Sequence, residues 1–236
     1  MLGPHADVLS TLDVVLASAS PRRLDLLAGL LGAGGFRVVV SGFDEDLDPG
    51  SFATPDAYCL ATAEAKARSV YASERRAAAN GQGTTEGEAK GPDVVLGADT
   101  VVIHPDGRTV LEKPAGPEEA AAMLRALSGG DHYVFTGVVV LAAAAGGDAG
   151  DPRVVRIGRR TRVRFAALDE ATVAAYVATD EPYDKAGGYG IQGAAGAFVE
   201  EIQGCYFNVV GLPVHLVATT FLDLLKDGTL VRKIYQ

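Results

Sequence analysis

The stretch from Val14 to Arg23, VVLASASPRR, limits most tightly what this chain can fold into. Val14–Ala17 is a short apolar run of the buried-strand type, and Ser18, Ala19 and Ser20 lead into Pro21, a favoured first helical residue after a serine N-cap. Leu24, Leu27, Ala28 and Leu31 then recur at helical spacing until Gly32 or Gly34 stops the helix. A buried strand feeding directly into an amphipathic helix is the unit of a layered α/β domain.

The rest of the chain repeats that alternation. Phe36–Val40 reads as a second strand, followed by the acidic loop Phe43–Pro49, and Thr54 with Pro55 opens a helix whose stripe is Leu60, Ala63, Ala67 and Val70. Val94–Gly97 and Val101–Ile103 flank Ala98, Asp99 and Thr100, and a turn at Pro105, Asp106 and Gly107 predicts a hairpin partner at Val110 and Leu111. Pro117, Glu118 and Glu119 start a helix with acid at its positive end, its core face is Met123, Leu124 and Leu127, and Gly129 and Gly130 end it. Val134–Leu141 and Val154–Phe165 read as strands, Asp169 caps a helix from Glu170 to Thr179, and Thr219–Lys226 falls in another helix. The expected class is α/β, a sheet with helices on both faces, in a single domain over residues 1–236. Ser73–Pro92 and Ala142–Pro152, rich in glycine, alanine and small polar residues, read as surface-loop insertions rather than domain boundaries.

Charge narrows the function. With 21 Lys and Arg against 30 Asp and Glu the net charge is −9, which argues against a general binder of nucleic acid or anionic membrane. If the ligand is an anion, basic groups must gather locally. The two cysteines, Cys59 and Cys205, are too few for a disulfide scaffold, and no basic leader or long uncharged apolar run is present, so a reducing, cytoplasmic setting is expected.

Three constellations carry chemistry. At Ser18–Arg23 hydroxyls, a helix N-terminus and two arginines form a phosphate cradle without Walker A glycines; a capped surface helix with solvated arginines is the alternative. Asp99, directly after a strand of apolar residues, reads as a general base, a metal ligand or an acidic turn that caps the strand, and Glu45 supplies a second carboxylate for a magnesium or manganese ion that prefers oxygen donors. Lys66 beside the apolar stripe of its helix, Lys113 before a proline and Lys185 before a run of glycines stand in unusual settings, with solvated surface lysines as the plain reading. In Glu181–Gly193, the glycines Gly187, Gly188, Gly190 and Gly193 admit close approach of backbone to a ligand or a tight hairpin, while Gln192 can read a base edge.

Taken together, LASASPRR (Leu16–Arg23), LGADTVV (Leu96–Val102), LEKP (Leu111–Pro114), Ser128–Gly137, EPYDKAGGYGIQG (Glu181–Gly193) and VVGLP (Val209–Pro213) resemble, in order, the motifs of the Maf family of nucleoside triphosphate pyrophosphatases. The resemblance spans nearly the whole chain. It implies a mixed twisted sheet flanked by helices, two lobes around a cleft, similar to the inosine-triphosphatase fold, and a homodimer. By resemblance, Asp99 matches the catalytic proton acceptor, Glu45 with Asp99 the metal site, and Ser18, Arg23, Lys66, Lys113 and Lys185 the phosphate-handling positions. Arg22, Thr100 and Gln192 match the positions that mark the dTTP/UTP subgroup rather than the one preferring 7-methyl-GTP. Alanine at Ala19, where the family often has glycine, leaves the turn plausible.

The expected activity is therefore hydrolysis of dTTP and UTP, or modified pyrimidine nucleotides, to monophosphate and pyrophosphate with a divalent cation. The alternatives are a pyrophosphatase preferring 7-methyl-GTP, a non-enzymatic nucleotide-binding regulator of septum formation, or a nucleic-acid binder using Arg156–Arg164.

Overall fold

The computed structural model describes residues 2–81, 91–143 and 151–231. In chain order the elements are α1 (Ala6–Leu9), β1 (Val14–Ala17), α2 (Pro21–Leu31), β2 (Arg37–Val38), α3 (Pro55–Ala79), β3 (Val94–Ile103), β4 (Val110–Leu111), α4 (Pro117–Leu127), β5 (Asp131–Ala142), β6 (Arg153–Phe165), α5 (Glu170–Val177), β7 (Val199–Gln203), α6 (Tyr206–Val210) and α7 (Val214–Lys226). The seven strands form one mixed sheet in the order β2-β1-β3-β5-β6-β7, with β4 pairing β3. β1 runs parallel to β2 and β3, and the β3-β5-β6-β7 pairs are antiparallel.

Alternation along β1 and β3 divides the core between two helical layers. Val14 and Leu16, with Val94, Leu96 and Ala98, meet Leu27 of α2 and Val217, Phe221 and Leu224 of α7. Val15, Ala17 and Val95 point the other way, onto Ala63, Ala67 and Val70 of α3. The apolar run of β1 is thus covered on both faces. The far halves of β3 and β5 and the end of β6 build a second packing centre, where Val102, Val134, Val163 and Phe165 meet Leu124 and Leu127 of α4 and Val173 and Tyr176 of α5. The long strands β3 and β5 connect these two centres, and the expected mixed sheet with helices on both faces is present.

Several local expectations change. α3 continues through Ser73 to Ala79, so the first part of the expected Ser73–Pro92 loop is helix. Arg75 over the Tyr71 ring, at 5.7 Å, and the alanine run supply contacts and propensity that override the polar composition. Residues 82–90, and 144–150 of the second insertion, lie outside the described residues. The second strand shrinks to Arg37–Val38, because it sits at the sheet edge and Val40 is 64% exposed. Among the described residues no helix is long and apolar enough to cross a membrane.

Candidate active site

β1 ends at Ala17 opposite Gly97, and β4 begins to pair only at Val102, so the intervening edge of β3 has no strand beside it on that side. A cavity of about 910 Å³ opens at this notch, lined by Asp99, Thr100 and Val101 of β3. Ser18, Arg22, Arg23, Glu45, Lys66, Lys113, Lys185 and Gln192 line the same cavity, so all ten residues singled out in the sequence converge there.

Asp99 does not follow an apolar strand, as the sequence suggested, but lies inside β3. Its charge is balanced in place. Because side chains alternate along a strand, Asp99 faces α3, where Lys66 Nζ donates to its Oδ1 at 2.8 Å and to Glu45 Oε2 at 2.8 Å. Lys66 is 7% exposed, so this ammonium is held almost entirely by the two carboxylates. Gly97 makes the approach of α3 possible, since a Cβ there would stand 2.4 Å from the Ala63 carbonyl oxygen. Glu45 has φ 53°, an uncommon backbone for a non-glycine residue, which brings its carboxylate to Lys66. Partial burial on its own would raise the Glu45 pKa, but the hydrogen bond and charge of Lys66, with Lys113 and Arg23 behind it, hold it below the ordinary value.

Thr100, one residue on, faces the opposite side, toward α2. Arg23 Nη2 donates to Thr100 Oγ1 at 3.0 Å, its Nη1 to Ser18 Oγ at 3.3 Å and its Nε to the Gly211 carbonyl at 3.0 Å. A guanidinium has five N–H donors, so these bonds fix its plane and leave two N–H groups for an anion. Enclosure by protein lowers the Arg23 pKa, and Asp99 is the first of the charges that push it back up. Ser20 occupies the N-cap position of α2 without capping it by side chain; its own N–H donates to Ser18 Oγ at 3.2 Å. The first N–H groups of α2 are thereby left without a side-chain acceptor, beside Arg22 and Arg23.

Arg22 reaches across the cavity to Asp184, at 3.5 Å. Lys185 Nζ donates to the Glu181 carbonyl at 2.7 Å and to the Asp184 carboxylate. The glycine-rich segment is not a hairpin. It makes short turns of 3-10 helix, with φ of 70° at Gly187 and 67° at Gly188. The close approaches its glycines permit are to the protein itself: a Cβ at Gly187 would meet Val102 at 2.8 Å, and one at Gly193 would meet the Glu181 carboxylate at 2.1 Å. Gln192 sits exposed on the cavity wall beyond them.

A family model described as "Maf-like protein" matches residues 13–224. The chain belongs to the Maf-like family. The chain is 44% identical over 91% of its length to a dTTP/UTP pyrophosphatase of Pelotomaculum thermopropionicum, covering 95% of that protein, and 37% identical over 90% of its length to one of Clostridium botulinum, covering 97% of it. A human protein titled "Probable bifunctional dTTP/UTP pyrophosphatase/methyltransferase protein" is 44% identical over 86% of this chain, which spans 30% of that longer protein. Among solved structures, the Ham1 protein of Staphylococcus aureus aligns with TM-score 0.34 and 12% identity over 64% of this chain and 71% of its own.

In this Maf-like chain, sequence reasoning missed the groups that support the cavity. Tyr58, whose hydroxyl donates to Glu112 at 2.7 Å, lines it from the α3 side. Glu181 accepts from the Tyr176 hydroxyl at 3.0 Å and the Ala194 N–H at 3.0 Å, pinning the two ends of the glycine-rich segment together. Its place at the head of EPYDK was a signal, but its partner thirteen residues later shows only in the fold. Arg156, Arg160 and Arg162 of β6 are each bonded to an acid, Glu64 at 2.6 Å, Asp56 at 2.6 Å and Asp131 at 3.0 Å, so that face is a charge-balanced surface.

Proposed function

We propose that the chain is a nucleoside triphosphate pyrophosphatase that cleaves dTTP and UTP between the α and β phosphates. The observation that carries the reading is the convergence of the ten residues on one cavity at the notch of β3, where carboxylates and cations meet. The names of the bacterial relatives point to the same substrates.

Water attacks the α phosphorus, the bond to the bridging oxygen breaks, pyrophosphate leaves, and Asp99 takes the proton of the water. With Oδ1 engaged by Lys66, the Asp99 carboxylate is held in one orientation, as positioning a base requires. Arg23, Lys113 and Lys185 hold the phosphates, and the free amides of α2 add partial positive charge.

The residues fit a divalent cation of the magnesium or manganese type. Glu45 and Asp99 offer hard oxygen donors that converge on one cationic point, and no group of three or more acidic, histidine or cysteine side chains is placed to hold a metal among the described residues. Such an ion takes its remaining ligands from phosphates and water, and when bound it neutralises charge on the leaving pyrophosphate. Arg22 and Gln192, both lining the cavity, supply polar groups that a wrong base leaves unpaired. A homodimer, the assembly the resemblance implies, is checked by sedimentation.

The test is a panel of UTP, dTTP, 7-methyl-GTP and ITP assayed for pyrophosphate release with magnesium or manganese. UTP and dTTP are expected to have the highest kcat/KM; a higher value for either purine nucleotide sinks the assigned preference.

A further inference from the structure

Thr136 and Asn208 lie outside the cavity, both with no exposed surface, yet they are bonded in series to an arginine inside it. Arg23 Nη2 donates to Thr100 Oγ1 at 3.0 Å, Thr100 Oγ1 is 3.0 Å from Thr136 Oγ1, and Thr136 Oγ1 is 2.8 Å from the Asn208 carbonyl oxygen. The direction of this chain follows from valence. A carbonyl only accepts and a hydroxyl carries one proton, so Thr136 donates to Asn208 and Thr100 must donate to Thr136. The proton of Thr100 therefore points to the neighbouring strand, and its oxygen is turned toward the guanidinium. A series of bonds oriented this way also polarises each member in the same sense.

The far end of the chain is anchored as firmly. The Asn208 side chain accepts from the Thr136 N–H at 3.1 Å and donates to the Val134 carbonyl and to Thr161 Oγ1, each at 3.0 Å. Three residues later the Gly211 carbonyl accepts from Arg23 Nε at 3.0 Å. The segment carrying α6 thus fixes Arg23 twice, directly through Gly211 and indirectly through two hydroxyls.

Building on the proposed activity, we propose that Thr136 and Asn208 are positioning residues that aim Arg23 through this one-way chain, and that Thr100 serves the arginine as an acceptor rather than the nucleotide as a donor. Any influence of Thr100 on substrate preference then runs through the placement of Arg23.

The experiment compares Thr136→Val, Thr136→Ser, Arg23→Lys and the Thr136→Val/Arg23→Lys pair. In Thr136→Val the Thr100 hydroxyl loses its acceptor and is free to rotate, so kcat is expected to fall about tenfold while KM stays within about twofold. Thr136→Ser restores kcat. Because the effect passes through Arg23, Thr136→Val is expected to cost nothing further in the Arg23→Lys background, whereas a general loss of packing would cost the same in both. An unchanged kcat in Thr136→Val, or full additivity in the pair, overturns the proposal. Should Thr136→Val fail to fold, Thr100→Val breaks the same chain at the cavity and is judged by the same non-additivity with Arg23→Lys. A readout independent of turnover is the Arg23 Nε–H resonance, assigned by its loss in Arg23→Lys. Faster exchange with solvent in Thr136→Val and wild-type protection in Thr136→Ser are expected; equal protection in all three overturns the proposal. A wild-type protein that releases no pyrophosphate counts against the enzymatic reading, and the resonance still decides this one.

Discussion

Lys66 is the side chain on which the charge balance of the cavity turns. Two carboxylates accept from this buried group, so removing any one of the three leaves a charge without its partner. Replacing Asp99 by Asn preserves shape but removes the proposed base, so turnover is expected to fall about 10²-fold or more in a pyrophosphate-release assay; near-normal turnover would remove Asp99 from that role. A second buried titratable group stands behind the cavity, against Tyr189 of its lining. His132 is fully buried, its Nε2 is 2.8 Å from the Tyr189 hydroxyl, and burial lowers its pKa to about 4, with Asp131 opposing. The folded state thus disfavours the proton that the unfolded chain takes up below its ordinary value of 6.5. His132 therefore contributes stability that is present above 6.5 and lost as pH falls toward about 4, with a slope approaching about 1.4 kcal/mol per pH unit. Urea denaturation across that window should show a smaller acid loss in His132→Gln than in the wild type; equal losses would contradict it. Lys66 could be picked out from its sequence position beside an apolar helical stripe, but nothing local to it named Glu45 and Asp99 as its partners.

Among the elements, β1 and α2 were legible because a four-residue apolar run, a proline and a terminal glycine each act locally. Thr54 and Asp169 cap α3 and α5 by accepting from Ala57 N and Thr172 N, as their positions predicted. Ser20 does not cap, because its neighbour Ser18 turns the entering chain instead. β3 runs unbroken through Asp99, although a carboxylate there suggested an end; its partner on α3 removes the cost of the charge. β7 and α6 escaped notice, since VEEIQ and YFNVV are five residues each and draw their support from β6 and from Asn208. The tightest joint between elements is α3 on Gly97. Gly97→Ala puts a methyl 2.4 Å from the Ala63 carbonyl and 2.8 Å from Ala67 Cβ, so α3 must move. A loss of about 1–3 kcal/mol in denaturant unfolding is expected, together with lowered kcat as Lys66 draws away from Asp99; unchanged stability would mean that the helix can shift freely.

At the scale of the whole molecule, a chain of net charge −9 gathers Arg22, Arg23, Lys66, Lys113 and Lys185 around one opening in its sheet. The opening is topological: β1 stops short and β4 joins late, which exposes the edge of β3 at Asp99 and Thr100. No local pattern announced that notch, because it depends on the register of three strands, whereas the residues that line it were recognisable from their motifs. The arginines of β6 are bonded to acids, and in the cavity Arg22, Lys66 and Lys185 also have carboxylate partners. In the proposed reaction this cavity directs water to the α phosphorus. UTP is hydrolysed in 18O-labelled water with magnesium present, and the products are read by 31P NMR. Equal amounts of UMP carrying the label and unlabelled pyrophosphate are predicted; label in the pyrophosphate, or orthophosphate with UDP, would overturn that reading.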